Sequence, residues 1–126
     1  MSKSYSLEYA GEIRFGPSYF SLEFDGITVP GFFYGFNRCE LVAGRYLAIE
    51  EWLTIDYRKG PMTRVAIFDM LDGSVARLQT VKKGFVGNFQ LKDDKFSYQK
   101  SYLSPEKTEK VQVNWNTIKD WDAIYS

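Results

Sequence analysis

The chain has 126 residues, the length of one domain with a core of its own. Sixteen Lys and Arg balance sixteen Asp and Glu, so it lacks the basic footprint of a nucleic-acid binder. With no histidine and a single cysteine, Cys39, an internal disulfide, a thiolate metal site and every histidine-dependent catalytic arrangement are excluded.

Strict period two opens the chain. Tyr5, Leu7, Tyr9, Ile13 and Phe15 sit on odd positions, with Ser4, Ser6, Glu8, Glu12 and Arg14 between them. Such alternation predicts a strand with one face in a core and one in water. Gly11 falls on the apolar parity, where a bulge or bend fits. After a Gly16-Pro17-Ser18 turn, Phe20, Leu22 and Phe24 alternate with Ser21, Glu23 and Asp25 as a second strand. Asp25-Gly26 is a hairpin turn into a third strand, Ile27 to Val29, which Pro30-Gly31 stops. The run Phe32-Phe33-Tyr34-Gly35-Phe36 has no clear phase, and either core packing or an exposed aromatic patch would suit it. Cys39 to Val42 reads as a short strand before an Ala43-Gly44 turn.

From Arg45 to Ile55, Leu47, Ile49, Leu53 and Ile55 share one face, and Tyr46, Ala48 and Trp52 share the other. Apolar residues on both faces predict a central strand covered on both sides. Tyr57 to Met62 is a loop marked by Lys59-Gly60-Pro61. Arg64 to Met70 and Val75 to Val81 flank an Asp72-Gly73 turn, and Lys82-Lys83-Gly84 is the next, solvated turn. Phe85, Gly87, Phe89 and Leu91 share one parity. The charged turn Lys92 to Lys95 leads to Phe96, Tyr98 and Tyr102 on one face, and Ser104 to Lys107 breaks the run. Val111, Val113 and Trp115 alternate once more. Ile118, Trp121 and Ile124 recur by three, which fits a short helix capped by Asn116, or alternatively a short strand. The pattern predicts an all-β fold of about nine antiparallel strands in residues 1–126. Its sheet would be bent, sandwich-like or barrel-like around one core, with at most a short C-terminal helix.

Little catalytic chemistry survives this reading. No glycine-rich phosphate loop is present. Two carboxylates suffice for a glycosidase, but neighbours on a strand point to opposite faces, so Glu50 and Glu51 do not form such a pair by adjacency. Glu51 stands on the parity of Leu47, Ile49, Leu53 and Ile55, as a paired or solvated carboxylate or as a contact for a partner. Asp69 reads as a hydrogen-bonded turn aspartate, Cys39 as a small buried hydrophobe, and Trp52 and Trp115 as core.

The segments Arg45-Tyr46-Leu47-Ala48-Ile49 to Trp52, Thr63 to Asp69, Asp72 to Leu78, Gly84-Phe85-Val86 and Lys95-Phe96-Ser97-Tyr98 follow one another in a familiar order. That order resembles a propeller-blade-like β-meander and is similar to some small β-rich immunity proteins that neutralise interbacterial toxins. The resemblance spans roughly residues 45–100. It implies a cytoplasmic, non-enzymatic protein specific for one toxin, and it supplies no catalytic motif.

The sequence therefore leads to a binding protein without metal or cofactor, whose partner is a protein, with nucleic acid and membrane excluded. The start of the chain has no apolar leader pattern, which fits the cytoplasm. Tyr, Trp and Arg are the side chains that anchor interfaces. The expected contacts are Tyr34, Glu51, Trp52, Asp56, Tyr57 and Arg58, with Lys107 at a rim. The alternative is a lipocalin-like barrel holding a small apolar ligand.

Overall fold

A computed structural model describes residues 4–14, 16–103 and 105–125. Phe15 and Ser104, which figured in the alternation and the break above, lie outside the described residues.

The fold is all-β and antiparallel. β1 (Tyr5–Glu12), β2 (Ser18–Phe24), β3 (Ile27–Thr28), β4 (Phe33–Leu41), β5 (Tyr46–Trp52) and β6 (Met62–Asp69) are followed by β7 (Ser74–Arg77) and β8 (Val81–Lys82). β9 (Gly84–Lys92), β10 (Lys95–Leu103), β11 (Glu106–Asn114) and β12 (Asp122–Ala123) complete the chain. Nine of these form one sheet along β1-β2-β4-β5-β6-β7-β12, with β3 paired to β2 and β8 to β6. The other three form a second sheet, β11-β10-β9. The large sheet is bent and is not closed into a barrel.

Turn chemistry sets much of the register. Asp25 and Gly26 hold φ of 50° and 82°, and Asp93 and Asp94 hold 52° and 61°. Two successive positive φ angles make the type I′ turn whose twist matches a hairpin. β1 pairs with β2 through a register shift between Tyr9 and Gly11, the bulge that Gly11 suggested.

Two apolar clusters form instead of the single core expected. Leu22, Phe24, Tyr34, Leu47, Ile49, Ala66, Phe68, Val75 and Ile124 make the first. Its members come from β2, from the middle strands and from the chain's end, so the large sheet bends round it. Tyr125 fastens this closure by donating its hydroxyl to the Ile27 carbonyl at 2.6 Å. Leu41, Ala48, Val65, Ile67, Val81, Val86, Phe89, Phe96 and Tyr98 make the second, under the three-stranded sheet. Alternation explains the division, because Leu47 and Ile49 leave β5 on one face and Ala48 on the other. β5 and β6 are thus covered on both sides, as the doubly apolar sequence of β5 predicted.

Three local readings are corrected. The parity of Phe85, Gly87, Phe89 and Leu91 breaks, because Asn88 adopts φ 53° and β9 shifts register against β10 between Ser97 and Gln99. Val86 and Phe89 are therefore the buried pair, and Phe85 is half-buried. The C-terminal helix is a single 3-10 turn, Trp115–Thr117, capped by Asn114 rather than Asn116, and β12 follows it. Cys39 is only half-buried, because it packs against the margin of the second cluster rather than inside it. Asp69 behaves as expected. It accepts the backbone N–H of Leu71 and Asp72, each at 3.1 Å, and Arg45 at 2.9 Å. Burial opposes its charge, but these donors outweigh that and hold its carboxyl below the usual range.

Candidate functional site

The run that resisted phasing is where β4 departs from regular pairing. Tyr34 lies opposite Glu51 and Arg38 opposite Ile49, so Gly35, Phe36 and Asn37 together face only Glu50. Extra residues in one strand kink it and re-aim its side chains, a device common beside binding sites. Phe36 is thrown into solvent, 65% exposed, while Phe32 and Phe33 are half-buried and Tyr34 is buried. The bulge is pinned at both ends. Arg38 donates to the Phe36 carbonyl at 3.0 Å, and Asn37 donates to the Val86 carbonyl at 3.3 Å.

Glu50 lies under this bulge, 3% exposed. One carboxyl oxygen accepts the Trp52 indole N–H at 2.8 Å, and the other accepts the Val86 backbone N–H at 2.9 Å. Burial pushes its carboxyl above the ordinary range, and those two bonds offset only part of the effect. Gly35 is required here, since a Cβ at that position would collide with the Glu50 carboxyl oxygen Oε1. Above the carboxyl is a cleft of about 740 Å³ whose lining includes Phe20, Phe36, Trp52, Phe85 and Leu103. That volume and mainly apolar lining, with Ser18, Asn37 and Glu50 as its polar side chains, match an ordinary ligand or side-chain pocket.

A row of rings continues from the cleft. Tyr19 lies 5.0 Å from Phe33 and 5.5 Å from Trp52, and Trp52 lies 5.6 Å from Tyr57. The Tyr57 hydroxyl is buried without a hydrogen-bond partner among the described residues. Burial and the nearby Glu50 charge both push its phenol upward.

Glu51 points the other way, into the first cluster, fully buried. It accepts Tyr34 Oη at 2.7 Å, Arg64 Nε at 2.7 Å and Arg77 Nε at 2.8 Å. The two guanidinium groups lie over the Phe32 ring at 4.9 and 5.1 Å. Burial first, then the charge and hydrogen bond of Glu51, push the Tyr34 hydroxyl far above its ordinary value. Both carboxyl oxygens of Glu51 are thus engaged from within the protein.

The six expected contact residues therefore separate. Tyr34 and Glu51 are buried and paired within the protein, which corrects the expectation that they meet a partner, whereas Trp52, although buried, lines the cleft. Both faces of β5 are covered, so most of its side chains serve packing and an internal ion pair, and only Glu50 and Trp52 reach the cleft. Asp56, Tyr57 and Arg58 do lie together at the surface, on a 3-10 turn spanning Tyr57–Lys59. Asp56 caps that turn and pairs with Arg58 at 2.7 Å. The Arg58 side chain and backbone N–H bonds lower the Asp56 carboxyl to about 2.

Sequence reasoning missed Glu50, Phe36, Phe20 and Leu103. For Glu50 the signal was present, since a carboxylate between Ala48 and Trp52 in a doubly covered strand has no route to water. Comparison with known proteins gives the chain no neighbour, because no family model, curated protein or solved structure matches it.

Proposed function

We propose that this chain is a non-enzymatic, cytoplasmic binding protein, an immunity protein that holds a cognate bacterial toxin against the face around the β4 bulge. One observation carries the docking face. Phe36, Leu103 and Tyr9 remain 65%, 67% and 64% exposed, although they are large and apolar. They adjoin one another through Phe20, whose ring lies 6.3 Å from Tyr9 and 5.9 Å from Phe36 and lines the cleft with Leu103. Contiguous apolar patches of this kind serve association. The class of partner follows from the resemblance over residues 45–100. A non-catalytic role is supported by the opposed directions of Glu50 and Glu51, which leave no paired acids on β5.

A stable complex needs roughly 1,600 Å² of total buried surface, so the patch would be its centre and the Asp56–Arg58 turn would meet the partner near the edge. The test is growth protection on co-expression with the toxin domain encoded beside this chain's gene. Protection by the unaltered protein and its loss in F36D/L103D, with K107A unchanged, is the expected result. Absence of protection overturns the immunity reading, and full protection by F36D/L103D moves the interface elsewhere.

A second reading has one specific support. The barrel alternative loses its enclosure, since the sheet is open. The cleft of about 740 Å³ nevertheless has room for a small apolar ligand. Native mass spectrometry separates the two, because a co-purifying small molecule favours the ligand and a bare chain favours the protein partner.

A further inference from the structure

We infer that the cleft over Glu50 is a socket for a lysine or arginine side chain, inserted by the protein that docks on this face. The inference rests on the docking reading above and gives that partner its anchor. Three features of the cleft converge on a cation. Among the described residues, Glu50 is the one ionisable side chain in its lining. The surrounding rings, Phe20, Phe36, Trp52 and Phe85, are of the kind whose π faces attract ammonium and guanidinium groups. The apolar walls also suit the aliphatic stem of such a side chain.

Glu51 supplies the comparison. The same strand buries both carboxyls, yet Glu51 receives two guanidinium groups and Glu50 receives two neutral N–H donors, from Trp52 and Val86. A carboxylate has about four acceptor sites, so each Glu50 oxygen keeps capacity for a further donor. Gly35 leaves out the one side chain that would have sealed the carboxyl from above. Burial makes the Glu50 charge costly where no cation faces it. The socket is thus built to accept positive charge that the chain itself does not supply there.

The test uses small probes on the full chain. n-Butylammonium and n-butylguanidinium are titrated against uniformly nitrogen-15-labelled protein, with 1-pentanol as the neutral analogue of similar length. The readout is the Trp52 indole N–H resonance, which reports directly on Glu50. The expected result is a saturable shift with either cation, weaker binding of the alcohol, and roughly tenfold or greater loss of cation affinity in E50Q. F36A should weaken cation binding while leaving Glu50 in place. Equal binding of the alcohol, no shift with either cation, or unchanged cation affinity in E50Q overturns the socket. The comparison of cation with alcohol needs no variant, so it decides the matter even if E50Q fails to fold. An amine retained by the purified chain would reassign the socket to a free ligand and overturn the side-chain occupant. Growth protection separates the two readings. If E50Q protects fully while F36D/L103D does not, docking stands and the socket falls. If the cations bind while F36D/L103D protects fully, the docking face falls and with it the partner's side chain as occupant.

Discussion

Glu50 and Glu51 are joined by one peptide bond, yet their carboxyls lie on opposite sides of a sheet. Glu51 is held by Tyr34, Arg64 and Arg77, so removing its charge strands two guanidinium groups that are mostly shielded from water. Breaking one side of such a group costs about 3 kcal/mol or more. E51Q should lower stability by that order in urea denaturation, and an unchanged midpoint would show that the ion pairs contribute nothing. Glu50 acts with the opposite sign. Burial raises its pKa in the folded protein above the ordinary 4.5, so the folded state holds the proton more tightly than the unfolded chain does. Its contribution is therefore fully present below pH 4.5 and is lost as pH rises through its folded value. E50Q escapes this loss. The stability of E50Q minus that of the unaltered protein should rise with pH above 4.5, and a flat difference across a pH series would refute the assignment. Tyr57 carries a buried hydroxyl without a described partner. Y57F removes an unsatisfied group and should stabilise by about 1 kcal/mol, checked by the same denaturation experiment.

At the scale of elements, what the sequence made legible was regular pairing, and what it hid was insertion. β1 and β2, the doubly covered β5, and the Asp25-Gly26 and Lys92–Lys95 turns are all readable from alternation and turn chemistry. Each depends on a pattern repeating without interruption. The β4 bulge adds residues opposite Glu50, and the β9 bulge places Asn88 outside the repeat. An insertion looks like noise to a period-two reading, so the cleft that the β4 bulge opens could not be placed. The aromatic run was visible, but which of its rings faced solvent was not. Glu51 attracted attention for its parity, while Glu50, on the face with fewer aliphatics, was passed over. One turn also carries measurable strain. Val42, between β4 and β5, adopts φ 52° while 56% exposed. The left-handed region costs a non-glycine residue about 1–2 kcal/mol, and β-branching makes it worse. V42G should therefore raise the melting temperature despite glycine's extra freedom in the unfolded chain. A lowered melting temperature would mean that the side chain makes a contact outweighing the strain.

For the whole molecule, the arrangement of layers matters more than the number of strands. The large sheet supplies both the floor of the second cluster and, by bending, most of the first. Its outer partner sheet ends in β11, whose run Glu106, Lys107, Glu109 and Lys110 keeps an open edge charged. Charges on an edge discourage pairing with another chain. The cleft joins the two sheets, since Phe20 and Phe36 belong to the large sheet and Phe85 and Leu103 to the small one. β5 and β6 act as a party wall between the clusters. Losing either cluster would bare one side of that wall and leave the Ile49 or the Ala48 face against water. Neither half can melt while the other stays intact, so two cores should behave as one cooperative unit. Calorimetry should give a single endotherm whose measured and van't Hoff enthalpies agree. Two resolved transitions would mean that the wall is divisible.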